Sequence, residues 1–199
     1  MKESQIQRPS TATLILDSAE RLVQIRGFNA FSYADIAEEL KMTKAALHYH
    51  FVGKSELGEA LISRYTWSFV ESLSAIEAEL LDAPARLSAY ADLYLEVLLQ
   101  KKMCLCGMLA ADFETLSEPM RAGVVAFFDE NRTWLSRVLK DGVRKGTLNL
   151  EDSPAHVAQM IISSLQGAVL IARPYGDPSI FKSLAPQIIK SLKAKSGIK

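Results

Sequence analysis

The chain has 199 residues and a mass of 22.0 kDa, with 49% apolar residues, 23% charged residues and a mean hydropathy of +0.08. That composition excludes intrinsic disorder and fibrous classes, and the length suits one large domain or a small one joined to a larger. Lysine plus arginine and aspartate plus glutamate both number 23, so bulk charge draws the chain to neither nucleic acid nor membranes. Binding to either must come from a local patch.

Glycine and proline are few, and between them apolar residues recur at helical spacing with almost no alternating β pattern, which predicts an all-α protein. A first helix is expected from about Thr11 to Arg26, its apolar face formed by Leu14, Ile15, Ala19, Leu22 and Ile25, with Gly27 as the stop. Ser32 followed by Asp35 is a capping signature for a second helix ending near Leu40. Thr43 is the expected N-cap of a short helix Lys44 to His50, and Lys54-Ser55 opens a long helix reaching about Leu81. Asp82, Ser117, Ser153 and Asp177 each stand shortly before a proline, an arrangement suited to a helix first turn. Helices are therefore expected near 84–101, 104–114, 119–145, 154–173 and 178–194, about nine in all.

The run Val157 to Ala172 is uncharged, yet it contains Gln159, Ser163, Ser164 and Gln166 and falls short of a ~20-residue membrane span. It reads as a buried helix, and no membrane partner is expected. The first residues show no apolar stretch followed by a small-residue cleavage site, so no secretory signal is expected. Cys104 and Cys106 give neither a disulfide framework nor a four-ligand zinc set, which points to a reducing compartment.

Residues 32–51 read as helix, tight turn, helix. Ile36, Leu40 and Leu47 are the positions to bury against the first helix, and the small Ala37 lets the second and third helices cross closely. That leaves Thr43, Lys44, Ala45, Ala46, His48, Tyr49 and His50 outside, a set of short or donor-bearing side chains suited to a DNA major groove. Asp35-Ile36-Ala37, then Leu47-His48-Tyr49-His50-Phe51, then Lys54-Ser55-Glu56-Leu57 resemble the TetR/AcrR family of transcriptional regulators. About 55 N-terminal residues carry the resemblance, and the remainder is similar in helix number and length. It implies an N-terminal three-helix helix-turn-helix DNA-binding domain, residues 1–54, and a C-terminal helical ligand-binding and dimerisation domain, residues 55–199.

The resemblance implies that Lys44, Ala45 and His48 face base edges, with Ser32, Thr43, Tyr49, His50 and Lys54 at the DNA interface and on phosphates. Two positions depart from the family pattern. Lys41 stands where glycine is usual and must take a left-handed conformation at a cost of roughly 1–2 kcal/mol. His48 replaces the first aromatic of a tyrosine pair. Residues 1–54 carry seven basic side chains (Lys2, Arg8, Arg21, Arg26, Lys41, Lys44, Lys54) against six acidic ones (Glu3, Asp17, Glu20, Asp35, Glu38, Glu39), one positive charge in excess. Tight binding to double-stranded DNA therefore needs two copies.

The helix at 154–173 is apolar nearly all round and rich in small residues, which suits a homodimer interface completed by Ile180, Phe181, Leu184, Ile188, Ile189 and Leu192. A small-molecule effector pocket is expected from Trp67, Tyr94, Met103, Cys104, Met108, Phe113, Phe128 and Trp134, with Gln166 as a polar anchor and His156, Asp112 and Arg132 as further anchor candidates. Plain core packing accounts for the same aromatics, because any helical bundle shows them at this spacing. Lys101 and Lys102 can favour a thiolate at Cys104, which suggests electrophile sensing; burial of both cysteines as small apolar groups is the competing reading.

No catalytic residue, metal or cofactor is expected. His48 and His50 are two apart on one helix and cannot converge on one ion, and no Gly-rich phosphate loop, G-x-S-x-G or H-E-x-x-H occurs. The expected function is a cytoplasmic one-component transcriptional regulator, a repressor released by its effector. A helical protein-binding adaptor and a small helical enzyme remain as alternatives.

Overall fold

A computed structural model describes residues 9–193. Lys2, Glu3 and Arg8 of the charge tally and the expected helix end at 194 lie outside the described residues. Nine α-helices and one short 3-10 turn make up the described residues, with one isolated bridge between Leu148 and Lys193.

Local chemistry sets the first elements. Helix α1, Thr11–Arg26, starts where the Ser10 side chain accepts from the Thr13 amide at 3.2 Å and stops at Gly27, whose φ of 94° is open to glycine and strained for other residues. Helix α2, Tyr33–Leu40, is fixed at its start by Asp35, which accepts from the Ser32 amide at 2.8 Å and from its hydroxyl at 2.6 Å. Lys41 takes the left-handed conformation the turn demands, at φ 52° and ψ 44°. Helix α3, Lys44–His50, is capped by Thr43, whose hydroxyl oxygen accepts from the Ala46 amide at 3.2 Å.

Helix α4 spans Lys54–Glu79 and α5 spans Ala83–Leu99, the latter capped by Asp82 and carrying Pro84 in its first turn. Helix α6 covers Leu105–Ala111 only; the rest of the expected 104–114 helix becomes the 3-10 turn Phe113–Thr115, because Asp112 leaves the helical path to bind elsewhere. Helix α7 is Glu118–Arg144, α8 is Pro154–Tyr175 and α9 is Ser179–Leu192. Helix α8 passes through Pro174 and stops at the left-handed Gly176, later than the expected 173. A proline in the last turn forfeits one backbone hydrogen bond without having further turns to disrupt.

Two apolar cores result. The first joins Ile15, Leu22, Ile36 and Leu47 of the head to Leu57 and Leu61 of α4, Leu105 and Leu109 of α6 and Met120 of α7. The second fills the body between α4, α5, α7, α8 and α9 around Tyr90, Phe127, Leu135, Ile161 and Phe181. Burying each such side chain contributes about 1.5–3 kcal/mol. Helix α8, 22 residues long, is apolar enough to cross a membrane by length and composition, yet Val157, Ile161, Leu165 and Val169 are buried in this second core.

Head and body meet at α6. The Met103 amide donates to the Gln24 carbonyl at 3.1 Å, the Phe28 amide to the Asp112 carboxylate at 2.8 Å, and Asn29 to Thr115 at 2.8 Å. Arg173 of α8 donates to the Ile25 carbonyl at the end of α1 and lies 3.5 Å from the Met108 sulfur. These bonds tie the last turn of α1 to both α6 and α8.

Candidate nucleic-acid interface and effector region

Helix α3 presents one buried anchor and an open face. Leu47 is fully buried, whereas Lys44, Ala45, His48 and Tyr49 are exposed, Tyr49 to 86%. Thr43 is also exposed and His50 half-buried, with the Tyr49 and His50 rings edge-on at 5.3 Å. A row of donor-bearing and methyl side chains on a helix anchored by one leucine can be pressed against base edges without disturbing the core.

Beside α3, the first turn of α2 frames a cleft of about 460 Å³ lined by Ser32, Tyr33, Ala34, Lys44, His48 and Lys54, with Phe31 behind. It gathers four of the expected DNA-contacting residues: Ser32, Lys44, His48 and Lys54. The first-turn amides of a helix lack intrahelical acceptors and favour an anion, and here the Asp35 carboxylate already accepts from the Ser32 amide. Two of the four are more constrained than the sequence suggests. The Ser32 hydroxyl proton is directed to Asp35. Lys54 is half-buried: its ammonium donates to the Phe31 carbonyl at 2.5 Å and sits over the Phe31 and Phe28 rings at 4.3 and 4.8 Å. Burial pulls the Lys54 ammonium below its usual range, against the opposing pull of Asp112 and Asp35. Only part of its donor capacity faces the cleft.

His48 Nδ1 lies 3.0 Å from the Val52 carbonyl, an acceptor only, so that nitrogen carries the donated proton. Its ring packs on Tyr33 at 4.8 Å. Tyr33 is a residue that sequence reasoning missed. Its hydroxyl donates to the Phe51 carbonyl at 3.0 Å, and burial, with the Glu56 charge nearby, pushes it up to about 12. Its only sequence signal was an aromatic directly after an N-cap.

The residues expected around an effector are divided among several places. Tyr94 and Cys104 border an enclosed space of about 10 Å³, with Tyr65, Phe69, Leu93, Val97 and Val169. That holds about one water. Trp67, 67% exposed, lines an open cleft beyond it. Met103 is buried in the body core, and Trp134 stacks on Tyr90 at 5.6 Å with its indole N–H unpartnered among the described residues. Phe128 packs on Phe127 at 5.3 Å, and Met108 lies against Arg173. Gln166 has a buried amide nitrogen with no partner among the described residues, and its oxygen fills the space a side chain on Gly107 would need. Phe113 lies apart, in a shallow groove with Arg121 and Val125. Of the further anchor candidates, His156 pairs with Asp152, Arg132 with Asp129, and Asp112 with the Phe28 amide.

The buried polar groups here are neutral. Tyr90 donates to Asn131 at 2.8 Å and meets the Tyr94 hydroxyl at 3.1 Å, while burial holds the Tyr65 and Tyr94 hydroxyls well above their usual range. Both cysteines are buried, and burial pushes the Cys106 thiol well up, with Cys104 and Glu20 adding to the rise. Cys106 is a thiol and not a thiolate, because desolvation in this core outweighs any lysine nearby.

Two stretches of the chain match known protein families. Residues 15–61 match bacterial regulatory proteins of the tetR family, and residues 83–188 match the tetracyclin repressor-like C-terminal domain. The chain belongs to the TetR family. A TetR transcriptional regulator from Legionella pneumophila is 34% identical, with 94% of this chain and 100% of that one covered and a TM-score of 0.86. Among curated proteins, the nucleoid occlusion factor SlmA of Marinobacter nauticus is 27% identical over 82% of this chain and 84% of its own length. The HTH-type transcriptional repressor DhaR of a Mycobacterium species is 23% identical over 73% of each. TetR-family regulators are DNA-binding proteins and generally not enzymes, and the helix-turn-helix head and nine-helix architecture agree with that membership.

Proposed function

We propose that the protein is a cytoplasmic homodimeric repressor that binds palindromic operator DNA through α3 and is released by a small-molecule effector held in the body. The observation that carries this reading is the division of α3 between buried Leu47 and the exposed row Lys44, Ala45, His48 and Tyr49, beside a cleft lined by Ser32, Lys44, His48 and Lys54. DhaR, a repressor by name, supports the sign of regulation.

Dimerisation rests on α8 and α9. Met160 and Ile171 are 47% and 56% exposed on one stripe of α8, and Gly167 between them has nothing within 4 Å of where a side chain would start. Leu170 and, on α9, Leu184 extend the apolar patch. A second copy packed there gives a four-helix contact across a two-fold axis and sets two α3 helices about one DNA turn apart. An effector favouring dimers whose heads miss successive grooves then opposes DNA by linkage.

The test separates base contacts from phosphate contacts. Lys44→Ala relaxes sequence preference by about 1–3 kcal/mol at one base position. Lys54→Ala weakens all duplexes alike and lowers the salt slope by about one. Equal losses on matched and mismatched duplexes from both variants contradict the assignment.

A further inference from the structure

Between the head and the body lies a cleft of about 600 Å³, walled by α1 on one side and by α4 and α5 on the other. Its volume falls in the range of ligand sites. The lower part is an apolar slot, with Trp67 and Phe69 of α4 facing Leu93 and Val97 of α5, and the upper rim is charged. Trp67 is the exposed tryptophan of the two, since Trp134 is 4% exposed. An indole left largely in water on the wall of a concave site is an unsatisfied stacking surface.

Four of the six rim charges are already paired. Both arms of Arg64 are taken, by Asp17 and by Glu20 at 2.6 Å each, and Arg21 is paired with Glu39. Lys102 donates to Gln100 at 3.0 Å, and with Glu96 it adds one charge of each sign. A charged guest finds both arginines of the rim already paired and loses hydration on entering the apolar part of the cleft.

The slot also connects to the control elements. Four of its residues, Tyr65, Phe69, Leu93 and Val97, are shared with the small enclosed space at Tyr94, Cys104 and Val169. A guest that displaces this floor presses on Cys104, the N-cap of α6, and on α8. Gln24 lines the same cleft, and its carbonyl is the acceptor of the Met103 amide that ties α1 to the α6 segment. We propose that this cleft is the effector entry site and takes an uncharged, planar aromatic molecule stacked on Trp67. The inference rests on the regulator reading above and gives that reading a ligand chemistry and a place.

The experiment uses the full-length dimer and two dyes that share one ring system: uncharged N-phenyl-1-naphthylamine and its anionic relative 1-anilinonaphthalene-8-sulfonate. Dye fluorescence and tryptophan quenching are followed, and fluorescently labelled operator duplex is titrated in parallel. The uncharged dye saturates, quenches Trp67 and binds at least about tenfold more tightly than the sulfonate; Trp67→Ala and Val97→Asp each weaken it by about tenfold. It also lowers duplex affinity severalfold in the native protein and not in Trp67→Ala. Equal binding of the two dyes, or uncharged-dye binding that neither substitution changes, overturns the site. Binding at the slot with duplex affinity unmoved overturns its role as the effector entry. A protein that binds no duplex at all defeats the regulator reading instead, and the dye titration still decides whether the cleft is a site.

Discussion

Replacing Arg173 by alanine removes a side chain that reaches from α8 to the end of α1. Its guanidinium donates to the Ile25 carbonyl, one of the carbonyls a helix C-terminus leaves without an intrahelical partner, and its other arm lies against Met108. A hydrogen bond to a charged donor contributes about 1.5–3 kcal/mol, and a cation at a helix C-terminus adds about 0.3–1 kcal/mol. Arg173 is half-buried, so the lower part of that range applies, about 2 kcal/mol. For a chain of this size that lowers the melting temperature by roughly 4–8 °C. The loss is also local: amide hydrogen exchange rises at Gly27, Phe28 and Met103, where α1 meets the α6 segment, before it rises in the body core. Arg173→Lys keeps the charge without the fork and recovers only part. A melting change under 1 °C, or exchange that rises in the body and not at the end of α1, refutes the reasoning.

Lys41→Gly relieves the left-handed turn between α2 and α3 and raises stability by about 1 kcal/mol, read as a melting rise of roughly 2–4 °C; a fall means that the Lys41 side chain contributes more than its backbone costs. Asp35 is held below the usual carboxylate range first by its hydrogen bonds to Ser32 and then by Arg26. Its stabilisation is present above the unfolded value near 3.9 and lost as pH falls through the folded one, so acid melts of Asp35→Asn are flatter below about pH 4 than those of the native protein. Tyr33 is raised to about 12, so its contribution is present below about 10 and lost as pH rises through 12. Tyr33→Phe removes its hydrogen bond to Phe51, costs about 1 kcal/mol, and deletes the tyrosinate step near pH 12 from an alkaline absorbance titration, below the steps of the more deeply buried Tyr65, Tyr90 and Tyr94.

The sequence revealed what is local. Ser32, Thr43, Asp82, Ser117 and Ser153 all stand at helix N-caps, because a cap is settled by one side chain and an amide two or three residues away. The face of α1 was read slightly askew: Leu14 is 39% exposed, while Ser18, Val23 and Gln24 are buried, since α1 is covered by the head, α4 and α6 together. Long-range pairs left no trace in the spacing. Arg173 to Ile25 spans 148 residues, Asp112 to Phe28 spans 84, and nothing in either neighbourhood announces the partner. Lys54 shows the same limit at shorter range, for its position was legible and its seat over two phenylalanine rings was not. Spacing alone does not separate the aromatics of the body, because helical periodicity is common to core and pocket. Tyr90, Phe127 and Trp134 form one packed cluster, whereas Trp67 and Phe113 face different clefts.

The most direct measurement is selection of duplexes from a random library by the purified protein, with the enriched sequence then titrated at two salt concentrations and the mass of the complex determined. The account predicts a palindrome with half-sites about one helical turn apart, bound by one dimer, with affinity falling steeply as salt rises. No enrichment by a protein shown to be a folded dimer in the same tube, or enrichment of a single non-palindromic site bound by a monomer, contradicts it.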